Sequence, residues 1–261
     1  MAKIIAITNQ KGGVGKTSTA SALVSGIAEK GYKVLAIDMD PQGNLGFCLG
    51  IDTENALTVY ELMKGTANIH KVVVHKNGVD VIPANILLSS AEQEFSNFGR
   101  EFLLKKGIAT IRDSYDYIII DTPPALNVLT VNAYVATDYL IVPMIPEILS
   151  LMGIAQLTET ANLVKSVYNP NMEVLGILLN KYDGRRVLTR EVEDMAKQVG
   201  IEMNTKVFRT KIRNSVAVAE APAHGISVYE YSPKSNATKD YRALVDEILS
   251  QKGMKVNAKK K

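Results

Sequence analysis

Disulfide chemistry has no place in this sequence, whose 261 residues include one cysteine, Cys48. A lone thiol fits a reducing compartment and reads as a small buried hydrophobe. The three histidines, His70, His75 and His224, stand at no metal-ligand spacing from one another or from Cys48, which excludes a zinc site. Long apolar runs are missing too. The most apolar stretch, 139–155, is interrupted by Pro143, Pro146 and Glu147, so it reads as a buried strand, a loop and a helix start. Met1-Ala2-Lys3 runs straight into Ile4-Ile5-Ala6-Ile7, too short for a secretory core and without a cleavage site. A cytoplasmic protein is therefore expected. No Pro/Gly/Ser linker and no internal repeat divides the chain. One domain is expected over 1–251, followed by a basic tail, 252–261, too polar to bury anything and expected to be disordered.

What is present suits a soluble α/β domain. Hydrophobic residues make up 46% of the chain and charged residues 22%, and 261 residues can bury a large core. Net charge is only +3, but it is unevenly placed. Residues 206–261 carry 12 Lys/Arg against 5 Asp/Glu, a balance of +7, whereas residues 1–205 carry 18 against 22, a balance of −4. Such asymmetry points toward a polyanionic partner, or else to a solvated helix face with a lysine tail.

Apolar runs alternate with helical patterns. Strands are expected at 4–8, 34–38, 79–83, 117–121, 139–142 and 174–180, with a short one near Val207. Helices are expected at 16–30, 59–64, 90–113, 128–136, 149–167, 189–199 and 237–251. Short, wholly apolar strands separated by helices predict one mostly parallel, twisted sheet with helices on both faces.

The chemistry is concentrated between the first strand and first helix, in Gln10-Lys11-Gly12-Gly13-Val14-Gly15-Lys16-Thr17. Glycines let backbone N–H groups wrap an anion, and the helix that follows adds its positive end. Lys16 would neutralise β- and γ-phosphates and Thr17 would complete a Mg²⁺ shell. Gln10 stands where the usual phosphate-loop motif has its first glycine, and a second lysine, Lys11, is added. Two further strands end in acids: Asp38-Met39-Asp40-Pro41-Gln42-Gly43-Asn44, and Asp121-Thr122-Pro123-Pro124. Each acid alone could be a helix cap. Three strand-end motifs on one sheet edge, where α/β folds bind ligands, favour a common site.

K-G-G-V-G-K-T, D-M-D-P-Q-G-N and I-I-I-D-T-P-P, in that order, resemble the deviant Walker A, A′ and B motifs of the ParA/MinD ATPases, a branch of the P-loop NTPases. Arg213-Asn214, Glu220-Ala221-Pro222 and Tyr231-Ser232-Pro233-Lys234-Ser235 resemble the C-terminal part of the Soj-like partition ParA proteins. The resemblance covers about residues 1–250. It implies an ATPase using ATP and Mg²⁺, with Gly12, Gly13, Val14, Gly15, Lys16, Thr17 and Ser18 around the phosphates. It also implies that Lys11 reaches phosphate across an ATP-sandwich homodimer, that Asp40 positions the attacking water, and that Asp121, with Asp38 beside it, serves the magnesium.

Asn180-Lys181-Tyr182-Asp183 spells N-K-x-D, a string associated with guanine recognition. In that GTPase reading Asp183 would bind the base; in the ParA-like reading Asn180 lies near adenine and Asp183 belongs to the next loop. Among ParA/MinD functions, the resemblance implies partition: ATP-dependent, non-specific DNA binding on the nucleoid and stimulation by a ParB-type partner. A MinD-like positioning ATPase would need a C-terminal amphipathic helix, and Gly253 to Lys261 have almost no apolar face, so no stable membrane anchor is expected. Iron-protein relatives need paired cysteines, which are absent. Arg209, Lys211, Arg213, Lys234, Lys239 and Arg242 are the candidate DNA contacts. Soj-like relatives often carry another arginine where this chain has Val216-Ala217-Val218.

Overall fold

Runs of Ile, Val and Leu with no polar alternation make strands that need cover on both faces, and the chain supplies it. The computed structural model describes residues 1–256. Seven strands form one sheet: β1 (Lys3–Ile7), β2 (Val34–Asp38), β3 (Val74–Lys76), β4 (Val79–Ile82), β5 (Tyr117–Asp121), β6 (Tyr139–Met144) and β7 (Glu173–Leu179). Their spatial order is β3-β4-β2-β5-β1-β6-β7, and every pairing is parallel except β3 with β4. Every residue of β2 and β5 is buried. Each such Ile or Leu contributes about 1.5–3 kcal/mol by leaving water.

The helices of nine residues or more are α1 (Lys16–Glu29), α2 (Val128–Ala136), α3 (Ile148–Val167), α4 (Val187–Glu202) and α5 (Asn236–Leu249). One face of the sheet packs Ile4, Leu35, Ile37, Ile118 and Ile120 with Leu129 and Ala133 of α2. The other packs Ile5, Ile7, Ala36 and Ile119 with Leu23 and Ile27 of α1 and Leu244 and Ile248 of α5. The mostly parallel sheet covered on both faces is therefore as expected from the sequence.

Strand register sets up the site. Asp38 and Asp121 are register partners at the ends of β2 and β5, and Ile7, the last residue of β1, is also opposite Asp121. Three chain segments leave the same sheet edge side by side. Pro143 is tolerated in β6 because β1 pairs only as far as Ile141, and the Pro143 carbonyl is taken instead by the Asn9 side chain at 2.7 Å.

Three local expectations change. The helix expected over 90–113 is broken into short turns, Ile86–Ser90, Ala91–Glu94, Arg100–Phe102 and Leu103–Ile108, with Gly99 at φ 83° between them. A left-handed residue cannot continue an α-helix. The segment near Val207 contributes an isolated parallel bridge to Ile177 rather than a strand. The tail is anchored at its start: Met254 is buried, and its carbonyl accepts from the Tyr117 hydroxyl at 2.6 Å. An apolar side chain at 254 has a pocket to fill, which residue-by-residue polarity does not reveal. Residues 257–261 of the expected tail lie outside those described. Cys48, at the end of the short helix Asn44–Cys48, is buried, and desolvation, then the charges of Asp121 and Asp38, push its thiol up to about 12.

Candidate functional site

The loop after β1 takes its shape from two left-handed glycines, Gly13 at φ 73° and Gly15 at φ 88°. Gly15 also has no room for a side chain, since an added Cβ would sit 2.7 Å from Nδ2 of Asn180. That amide nitrogen donates to the Val14 carbonyl at 2.8 Å and to Thr19 Oγ1 at 3.2 Å, tying the end of β7 to the loop. From below, Asn9 holds the loop: its Nδ2 reaches Pro143 and its Oδ1 accepts from the Lys11 N–H at 2.9 Å. Because Gly15 is the N-cap of α1, no side chain competes for the first N–H groups of that helix. Open donors, a dipole and Lys16 together make an anion cradle.

Lys16 is buried, and its Nζ donates to the Lys11 carbonyl at 3.2 Å. Desolvation lowers its pKa, while the nearby Asp121 and Asp40 hold it up. Asp121 is fully buried, and neither of its oxygens has a hydrogen-bond partner; the Thr17 hydroxyl is close enough only to soften its upward shift. Burial first, then the charge of Asp38, push the Asp121 carboxyl well above the usual carboxylate range. Asp38 is raised by burial as well, although its oxygens accept from the N–H groups of Asp40 at 3.0 Å and Leu45 at 2.9 Å. An orphaned, buried carboxylate beside a hydroxyl is an environment that a small divalent cation relieves. Among the described residues no group of three or more His, Cys, Asp and Glu could hold a metal. Mg²⁺ takes one or two protein oxygens and completes its shell with phosphates and water. Asp121 and Thr17 would hold it, with Asp38 behind, its oxygens already engaged by the backbone.

A cavity of about 610 Å³ runs outward from this cradle. Gly12 to Ser18, Asp40 and Asn180 line it, so the structure brings the expected phosphate, acid and base-side residues together. Asp40 is partly exposed there, its Oδ1 accepting from the Gln42 N–H at 3.0 Å. The far wall was not legible in the sequence: it is built from 212–216, Val218, Ala219 and Tyr241. Asp183, the guanine-reading acid of the N-K-x-D string, is not part of this cavity. It lines an adjoining groove, which shares Lys181, Arg213 and Asn214 with the cavity, and is held by Arg185 at 2.9 and 3.0 Å, which pulls its carboxyl down to about 2. Asn180, not Asp183, is the residue of the string that lines the cavity, as the ParA-like reading expects.

Lys11 points away from the cradle. Its Nζ lies 2.7 Å from Glu147 Oε2 and 3.2 Å from Ser150 Oγ, at the start of α3. Of the candidate DNA contacts, three are engaged within the chain. Lys211 pairs with Glu193 at 2.8 Å, Arg213 with Asp240 at 2.6 Å, and Arg242 with Glu29 at 2.8 Å. Arg209 is exposed and approaches Glu247 only at 3.9 Å, and Lys234 and Lys239 are exposed. Asp240 is already counted in the +7 balance, but Glu193 and Glu29 lie outside 206–261 and cancel part of it. Arg213 also lines the nucleotide-sized cavity, a position that its distance in sequence from the phosphate loop had not suggested.

Comparison with known proteins places this site among others. A family described as an AAA domain matches residues 2–174. The sporulation initiation inhibitor protein Soj of Bacillus subtilis is 39% identical over 254 residues, spanning 96% of this chain and 99% of its own. The chromosome partitioning protein ParA of Caulobacter vibrioides is 40% identical over 255 residues, spanning 95% and 94%. The crystal structure of cobyrinic acid a,c-diamide synthase from Mycobacterium smegmatis, with bound ADP and magnesium, superimposes with a TM-score of 0.82 at 33% identity, covering 94% and 93%.

Proposed function

This chain belongs to the ParA/Soj family of P-loop ATPases, which use ATP and Mg²⁺, and from that premise we propose that it is a DNA-partition switch. ATP closes two copies into a sandwich, the dimer binds DNA without sequence preference on the nucleoid, and a ParB-type partner stimulates hydrolysis to release it. The observation that carries the reading is the second lysine. Lys11 stands at the rim of a complete phosphate cradle, occupied with Glu147 rather than with the site of its own subunit. The apolar residues Leu126, Ile148, Leu149 and Met152 are exposed on the segments that follow β5 and β6, around that rim. A second copy would cover them.

Within each subunit the loop N–H groups and Lys16 bind the triphosphate, and Asp40 orients the attacking water. Mg²⁺ when bound supplies further neutralisation of phosphate charge. Phosphoryl transfer asks little more of a protein than such positioning and electrostatics. Asp40→Ala therefore lowers turnover by roughly 10²- to 10⁴-fold while ATP affinity is kept. Gel filtration with ATP then finds a persistent dimer. Loss of nucleotide binding together with activity would instead make Asp40 part of the magnesium site.

The partition reading is tested by DNA binding with ADP, ATP and a slowly hydrolysed ATP analogue. Tight binding is expected with ATP and the analogue only, to any sequence, since contacts made by Lys234 and Lys239 fall on phosphate rather than on base edges. Lys239→Ala reduces the slope of log affinity against log salt by ~0.9 per lost contact, and about twice that in a symmetric dimer. Equal affinity with ADP and ATP would refute the switch. Among the described residues no helix is long and apolar enough to cross a membrane. Vesicle binding in place of DNA binding would favour a MinD-like role.

A further inference from the structure

The far wall of the nucleotide cavity is joined to the sheet side by an isolated parallel bridge between Tyr182 and Arg213, and the last helix adds further hold. Residues 209–213 run beside α5, touching β7 through the Ile212 N–H, which donates to Leu179 at 2.9 Å, and the segment after β7 through the Ile212 carbonyl, which accepts from the Tyr182 N–H at 2.9 Å. Two acids of α5, Asp240 and Glu247, are seven residues apart and so lie two turns apart on one face. Glu247 accepts from the N–H groups of Arg209 at 2.8 Å and Thr210 at 2.9 Å. Asp240 accepts from the Arg213 N–H at 3.0 Å, and its two oxygens also clasp the Arg213 guanidinium at 2.9 Å and 2.6 Å. Both carboxylates are largely sheltered, Asp240 at 13% exposure and Glu247 at 9%. Beyond Arg213 the chain goes directly into Asn214, Ser215 and Val216, which face the phosphate loop across the cavity. Tyr241, next to Asp240, lines the same cavity.

We propose that Asp240 is a positioning residue for nucleotide binding, fixing residues 212–216 as the wall against which the nucleotide's base and sugar rest. Arg213 is then spent on building that wall rather than on DNA, and α5, which carries the exposed Lys239, is tied to the cavity through one carboxylate. A bidentate clasp and a backbone bond from one side chain hold both the direction of the chain and the rotamer of Arg213. The inference rests on the cavity being the ATP site, so the wild-type titration tests that premise separately.

The experiment titrates ADP, which occupies the site without driving the sandwich, into wild type, Asp240→Ala, Asp240→Asn and Asp246→Asn. Asp246 is a control on the same helix, whose partner is Lys30, the residue after α1, away from the cavity wall. Asp240→Ala raises the ADP Kd roughly five- to tenfold, a modest loss because the guanidinium is half exposed. Asp240→Asn, which can still accept from the Arg213 N–H, falls between, and Asp246→Asn binds as wild type does. Thermal unfolding without nucleotide checks that both variants are folded at the titration temperature: Asp240→Asn, which weakens a sheltered clasp, falls further in Tm than Asp246→Asn, whose pair is exposed, and it loses ADP affinity while still folded. Wild-type ADP affinity in both Asp240 variants, or equal loss in Asp246→Asn, overturns the proposal. Failure of wild type to bind ADP overturns the ATP-site reading beneath it.

Discussion

Lys16→Ala leaves a folded protein that no longer takes up ATP or ADP. Lys16 is, among the described residues, the one cation buried in the cradle, facing Asp121 and Asp40 and held there against its own desolvation. The loop N–H groups contribute dipoles, but the β- and γ-phosphates concentrate several charges in a small volume beside two buried carboxylates. Removing the ammonium removes charge-assisted bonds at a sheltered site, which weakens binding at least ~100-fold. Calorimetry would read the loss directly. Thermal unfolding shows that the fold survives: without nucleotide the variant melts near wild type, while added ADP raises the Tm of wild type alone. Near-normal ATP affinity in the variant would move the phosphate site elsewhere.

Lys11→Ala should do the opposite, sparing the nucleotide and losing the dimer. The lysine side chain contacts Glu147 and Ser150 of its own subunit, and the backbone carbonyl that meets Lys16 is kept in the variant, so ATP affinity of the monomer stays within about threefold. In a sandwich the same ammonium would meet the partner's phosphates, where its loss leaves charge facing charge across a closed interface. Sedimentation with ATP is expected to give monomer for Lys11→Ala and dimer for wild type. An ordinary ATP-dependent dimer from the variant would end the sandwich model and leave Lys11 acting in its own subunit or not at all.

The phosphate side of the site was legible because its determinants are local. A glycine loop between a strand and a helix, and acids at the ends of two apolar strands, need only the parallel sheet to bring them together. The register of Asp38 with Asp121 is that convergence made concrete. On the base side only Asn180 was legible. Arg213 and Asp240 are 27 residues apart, and Lys11 and Glu147 are 136 apart. No periodicity links such pairs, so charges that look free in sequence are neutralised by folding. The edge hairpin was a different kind of miss. Asn77-Gly78, at φ 50° and 76°, is a strong turn signal between β3 and β4, overlooked because so short an antiparallel strand is unexpected in a parallel sheet. The segment 90–113 has helical spacing but folds as several short helical pieces, since Gly99 requires a turn that the apolar pattern does not register.

Cys48 gives the molecule one more property. Its sulfur is shielded by packing and kept protonated by its buried surroundings, so at neutral pH it offers neither access nor a thiolate. Maleimides and other thiol-selective dyes should pass the native chain by. A cysteine introduced at exposed Lys239 would then be the only position to take up a fluorophore, and two such labels, one per subunit, would report assembly and release as a change in energy transfer.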